Sequence, residues 1–202
     1  SSRTGHARRS TILARLGDTQ GMADATGLAR AFDRLAGWEA RACLRVNAYS
    51  RLDAVRIVFA TVSRLGDGVF WYVLMGTLAV VGGERGRATA IAMAATGLVA
   101  TSLYKVLKRA CRRPRPLARH DGVLVSVPPL DEFSFPSGHT LHAVSFTVVA
   151  LAGISQLAWL LVPFTTLVAM SRVVLGLHYV SDVLVGALIG WGLGQAGMLL
   201  LA

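Results

Sequence analysis

The chain has 202 residues, of which 53% are hydrophobic and only 16% charged, yet its formal net charge is +10 and its mean hydropathy is +0.53. The hydrophobicity excludes disorder, and since an ordinary soluble domain carries about 25% charged residues, a soluble nucleic-acid-binding module has too few water-facing side chains here to stand on. The excess of charge and the excess of apolar residues coexist because they are segregated: from Ser137 to Ala202 the only Asp, Glu, Lys or Arg residues are Arg172 and Asp182.

In chain order, residues 1–26 are rich in Arg, Ser, Gly and Thr without periodicity, and read as a basic mobile tail. No secretory signal peptide is evident there. Residues 27–52 differ. Leu28, Phe32, Leu35, Trp38, Ala42 and Val46 recur every three or four positions, with Arg30, Arg34, Arg41 and Arg45 between them. That pattern predicts an amphipathic helix with a cationic face, lying in the membrane interface or, alternatively, packed as a surface helix on a protein core. Residues 53–202 form the predicted membrane-embedded domain. A span needs roughly 20 apolar residues. Five stretches qualify when flanking residues are recruited: 64–82, 87–104, 138–155, 156–174 and 183–202. The fold class expected is therefore all-α, a multi-pass bundle of about five spanning helices. A polar loop, 108–135, separates the second span from the third and holds Pro114, Pro116, Pro128 and Pro129.

Cys43 and Cys111 are far apart and suggest neither a disulfide framework nor a metal cluster. Gly186, Gly190 and Gly194 repeat every fourth residue in the last span. Such a stripe serves either a dimer face or close helix packing within one bundle; oligomeric state is not legible from it.

Three polar islands interrupt the apolar chain, each at the end of a predicted span. The first runs from Lys108 through Arg115-Pro116, the second is Pro136-Ser137-Gly138-His139, and the third runs from Ser171-Arg172 through His178 to Asp182. If successive spans alternate in direction, all three meet at one membrane surface. Lys108, Arg115 and Arg172 then supply fixed cations. Ser137 and Gly138 precede a helix, whose N-terminal N–H groups suit an anion. His178 and Asp182, four apart, would share a helix face within hydrogen-bond reach, and a carboxylate on one imidazole nitrogen frees the other as a nucleophile. These are the parts of a phosphoryl-transfer site built from cations and histidines. Taken singly each island has a plainer explanation: a basic loop at lipid headgroups, a helix cap, or an Arg172–Asp182 ion pair that offsets two membrane charges.

In register, the islands resemble the three signature motifs of the type 2 phosphatidic acid phosphatase superfamily: Lys-x6-Arg-Pro, Pro-Ser-Gly-His and Ser-Arg-x5-His-x3-Asp. The resemblance covers roughly residues 53–202. It implies an integral-membrane lipid phosphatase in which His178 attacks phosphorus, Asp182 orients His178, and His139 protonates the leaving oxygen and then activates water. It implies also that Lys108, Arg115, Ser137, Gly138 and Arg172 bind phosphate, without metal or other cofactor. The substrate expected is a lipid phosphomonoester or diphosphate, with anionic membrane lipids as neighbours and no nucleic-acid partner. A vanadate-dependent haloperoxidase shares these motifs, and a catalytically silent membrane transporter or scaffold is a third reading. Spans argue against the former and the intact His139, His178 and Asp182 against the latter. His142 either lines the site or packs; His120 reads as a loop residue and His6 as part of the tail. Basic residues concentrate on the side of the islands, which by the positive-inside rule faces the cytoplasm of an inner-membrane protein.

Overall fold

The computed structural model describes residues 34–201. The predicted tail and the start of the predicted amphipathic helix lie outside the described residues. Residues 34–47 are helical (α1), and a tight turn, Ala48–Arg51, ends that helix. Then follow α2 (Asp53–Arg64), a widened π-type turn (Leu65–Val69), α3 (Phe70–Val81), α4 (Gly83–Cys111), the one-turn α5 (Pro116–Arg119), α6 (Gly138–Gly153), α7 (Ala158–Val174) and α8 (Val180–Met198).

The protein is a helical membrane bundle. Among the described residues four helical stretches are long and apolar enough to cross a bilayer: Asp53–Val81, Gly83–Cys111, Ser155–Val174 and Val180–Leu201. The sequence expectation was about five. The difference is α6, whose 16 residues reach only about 24 Å at 1.5 Å per residue. α6 packs on α4, α7 and α8, and none of its residues is exposed. It is the centre of the bundle, so it has no need to match the bilayer by itself. The first span is longer than the expected 64–82, because α2 runs into α3 through the widened turn.

Lipid-facing and protein-facing positions divide as a bilayer demands. Val80, Ile91, Leu98, Trp159, Leu184, Leu188 and Trp191 are exposed on the outside. Trp71, Met93, Leu141, Phe146, Leu161 and Val168 are buried between helices. Lipid tails are as apolar as these side chains, so association rests on fit more than on water release. The glycine stripe shows how close that fit is. A Cβ at Gly186 would lie 2.7 Å from the Ser137 carbonyl oxygen, one at Gly190 2.4 Å from that of Leu141, and one at Gly194 2.6 Å from Val148 Cβ. The stripe is therefore consumed inside the chain, where it lets α8 touch α6. That contact matters for chemistry, because α6 and α8 each begin at the polar end of the bundle.

α1 meets the remainder of the bundle through Cys43 and Asn47, both buried, while Arg41 and Arg45 are exposed. Asn47 Nδ2 donates to the carbonyls of Val174 (2.9 Å) and Leu124 (3.1 Å), and its Oδ1 accepts from Leu124 N–H at 2.7 Å. From Ala42 to Asn47 the inner edge of the helix is centred on Cys43 and Asn47 rather than on Ala42 and Val46, which are half-buried.

Candidate active site

The three islands converge at one end of the bundle, at the C-termini of α4 and α7 and the N-termini of α6 and α8. α4 stops at Cys111 because Arg112 adopts a left-handed conformation (φ 45°) and Pro114 follows. The ensuing loop folds back across the end of α4. Its Asp131 places a single carboxylate oxygen between Lys108 Nζ (2.6 Å) and Arg115 Nη2 (2.7 Å). Lys108 donates also to the Phe133 carbonyl (2.7 Å), and Arg115 Nε to the Asp131 carbonyl (2.9 Å). Both cations are buried, and Asp131 holds them side by side. Burial alone would raise the Asp131 carboxyl, but the hydrogen bond and charge of Lys108, with Arg115 behind it, hold it below the usual carboxylate range.

His178 sits in the turn between α7 and α8. The N–H groups of Leu177 and His178 both donate to the Arg172 carbonyl at 3.0 Å. Gly176 makes this turn possible: its φ is +68°, and a Cβ there would press on Val123 at 2.4 Å and on Asn47 at 3.1 Å. The imidazole is 1% exposed. Its Nε2 lies 3.2 Å from Arg115 Nη1 and its Nδ1 3.6 Å from Asp182 Oδ2. Burial, and then the charges of Arg172, Arg115 and Lys108, push the ring well below its ordinary pKa of 6.5. His178 is therefore neutral at physiological pH.

The placement of Asp182 corrects one expectation. His178 precedes α8, so the pair does not share a helix face, and 3.6 Å is an approach without a hydrogen bond. Asp182 caps α8 instead: its Oδ2 accepts the Tyr179 N–H at 2.9 Å. Oδ1 accepts from Arg113 at 2.6 Å, and Arg113 also donates to Ser181 (2.7 Å) and lies over the Tyr179 ring. The Arg172–Asp182 ion pair weighed from sequence is not formed. Arg172 donates to Ser63 of α2, and its Nε is buried without a hydrogen-bond partner among the described residues.

Ser137 and Gly138 part company. The Ser137 N–H donates to the Asp182 carbonyl (3.0 Å) and its hydroxyl pairs with Thr140 (3.0 Å). Fully buried, Ser137 joins α6 to α8 and does not reach the cavity. Gly138 does, at the first turn of α6, where helix N–H groups have no intrahelical acceptor. His139 lines the cavity too, and its Nε2 contacts the carboxylate of Asp67. His142, one turn on, lines the same space and is fixed by the Gly138 carbonyl (2.8 Å) and Thr101 (3.1 Å). His120 does not line the cavity; its Nε2 pairs with the Tyr179 hydroxyl at 3.1 Å.

The cavity measures about 760 Å³. Lys108, Arg115, Arg172, His178, His139 and Gly138 form its polar end. Trp71, Tyr72, Met75, Leu98 and Phe146 form an apolar wing between α3 and α4. Tyr72 and Leu98 are themselves largely exposed to the bilayer side, so the wing opens toward lipid. Lys105 and Arg109, both exposed, stand at the mouth.

Residues 87–201, which carry all three islands, match the PAP2 superfamily. The chain belongs to that superfamily. Among PAP2 relatives, decaprenylphosphoryl-5-phosphoribose phosphatase of Mycobacterium tuberculosis is 32% identical over 134 residues, covering 65% of this chain and 72% of that one. Undecaprenyl-diphosphatase BcrC of Bacillus subtilis is 29% identical over 135 residues, 67% of each chain. Of solved PAP2 structures, a transmembrane phosphatidylglycerolphosphate phosphatase from Bacillus subtilis superposes with a TM-score of 0.67 at 25% identity, covering 81% of this chain and 84% of that one. Aquifex aeolicus LpxE superposes with a TM-score of 0.62 at 26% identity, covering 76% and 91%.

Asp67, Asp131, Arg113 and Asn47 were not singled out from sequence. Only Asp67 left a usable signal there, a carboxylate set between two glycines inside an otherwise apolar span.

Proposed function

We propose that this PAP2 protein is a lipid phosphatase that removes phosphate from a phosphomonoester or diphosphate on a polyprenyl or glycerolipid tail, through a phosphohistidine at His178. The observation that carries this reading is a cavity in which a neutral, buried His178 and three cations adjoin an apolar wing open to lipid. A soluble phosphate ester would have no use for that wing.

Arg115 can only donate, since a guanidinium has no acceptor. Its contact with Nε2 of His178 therefore assigns the lone pair to Nε2 and the proton to Nδ1, on the side of Asp182. In the first step the Nε2 lone pair attacks phosphorus. The phosphorus–oxygen bond to the lipid breaks, and a proton from His139 goes to the departing oxygen. In the second step water attacks the phosphohistidine, His139 takes the water proton, and the bonding pair returns to Nε2. Lys108, Arg115, Arg172 and the N–H groups at the start of α6 meet the charge spread over the equatorial oxygens. The unpartnered Nε of Arg172 is a donor awaiting such an oxygen. Ser137 acts through the α6–α8 contact that aims those N–H groups. Lys105 and Arg109 at the mouth favour an anionic membrane surface. Arginine-rich segments at both α1 and the end of α4 favour a cytoplasmic site in an inner membrane.

The test is phosphate release by purified protein in detergent with EDTA, across phosphatidylglycerol phosphate, phosphatidic acid, and polyprenyl phosphate and diphosphate. Turnover of at least one of these, inhibited by vanadate and lost in His178→Ala, is expected. Absence of release from every member of the panel would overturn the reading.

A further inference from the structure

The first span contributes chemistry although it lies outside the stretch that carries the three islands. Ser63 and Asp67, four apart on one face of the chain, touch Arg172 and His139 respectively. Asp67 belongs to the widened turn Leu65–Val69 that joins α2 to α3. Such a turn inside a helix commonly marks a working site, and this one is built for close approach. Gly68 takes a φ of +136°, and a Cβ at Gly66 would lie 3.0 Å from Val168 on α7, the helix that carries Arg172. A carboxylate at this depth is costly unless it has a partner. Its partner is the His139 imidazole.

We propose that Asp67 is a positioning residue for the proton transfer: it holds the His139 ring in place and compensates the charge of its protonated form. This rests on the phosphatase reading above, in which His139 gives a proton to the leaving oxygen and later takes one from water. The other charged or titratable groups near His139 are Arg172 on α7, His142 on its own helix and His178 in the α7–α8 turn. Arg172 repels a protonated His139, and Asp67 is the carboxylate that offsets this. Without it the protonated ring would face Arg172 with no carboxylate beside it, and would be less well aimed. The proton balance is unchanged by Asp67, which neither gains nor loses one; it makes the donor available.

The experiment compares first-turnover rates of wild type, Asp67→Asn and Asp67→Glu on two substrates. One is a long-chain alkyl monophosphate, whose alkoxide leaving group requires a proton. The other is p-nitrophenyl phosphate, whose phenolate departs without one. General acid catalysis contributes about 100- to 10,000-fold, so Asp67→Asn is expected to slow the alkyl substrate by about 100-fold. Its burst with p-nitrophenyl phosphate should stay within about threefold of wild type, and Asp67→Glu should recover part of the alkyl activity. A merely structural role predicts equal losses on both substrates, and that result, or no loss on either, overturns the proposal. A wild type inactive on both overturns the phosphatase reading itself, and the role of Asp67 with it.

Discussion

Arg115 Nη1 and His178 Nε2 lie 3.2 Å apart, a contact in which the guanidinium must donate and the imidazole must accept. The nucleophile is thereby held with its lone pair toward the cations that bind phosphate, and its proton toward Asp182. Burial makes that state persist to unusually low pH, since the folded ring titrates well below 6.5. His178 is active when deprotonated, so its contribution is lost only as pH falls through the depressed folded value. Phosphoenzyme formation in a rapid-quench experiment should therefore continue below pH 6.5 rather than fall off with an ordinary histidine titration. The alkaline limb of turnover should report loss of the His139 proton, giving a bell-shaped profile. An acid limb centred near 6.5 that moves with substitution of the residues around His178 would contradict this account of the nucleophile.

Asp131 sets the spacing of two of the cations. One of its oxygens bridges Lys108 and Arg115, the contact a phosphate oxygen also makes in the proposed reaction. Its part is to keep two buried cations at a fixed separation. Misplacement of a binding group by about 1 Å can cost on the order of 100-fold. Asp131→Ala is expected to lower kcat/KM by about 10- to 100-fold while leaving the fold intact, as judged by steady-state kinetics beside a thermal melt. Unchanged kcat/KM would remove Asp131 from the working site.

The glycine stripe can be tested without touching the chemistry. A methyl at Gly190 would lie 2.4 Å from the Leu141 carbonyl oxygen, so α8 must move off α6, whereas a methyl at Gly192 meets nothing within 4 Å. Overpacking costs about 1–3 kcal/mol. Gly190→Ala should lower the melting temperature by several degrees and reduce activity, because α6 and α8 deliver Gly138, His139 and Asp182. Gly192→Ala should do neither. Similar melts for the two variants would contradict the close α6–α8 contact.

What could be read from sequence divides along physical lines. Apolar runs and their ends are local properties, so four of the expected spans and all three islands are where periodicity and charge put them. The length of α6 is not local: whether 16 residues suffice depends on what surrounds them. His178 and Asp182 show a similar limit. Their four-residue spacing suggested a shared helix, but Gly176 at positive φ ends the preceding turn in a way that leaves His178 outside α8. The residues missed altogether are those that hold others in place. Asp131 lies 23 positions from Lys108, Arg113 lies 69 from Asp182, and Asn47 lies 127 from Val174. No periodicity links such pairs; only the folded chain brings them together. Ser137 marks the converse case, a motif residue whose N–H and hydroxyl are spent inside the bundle.

In the proposed reaction Nε2 of His178 carries the phosphoryl group between the two steps. The direct measurement is to quench the protein under alkaline conditions during turnover of a radiolabelled lipid phosphate and to locate the label by peptide mass spectrometry. A phosphate on His178, stable to alkali, labile to acid and missing from His178→Ala, is the predicted result. Full turnover by His178→Ala, with no phosphoprotein trapped in the wild type, would contradict it.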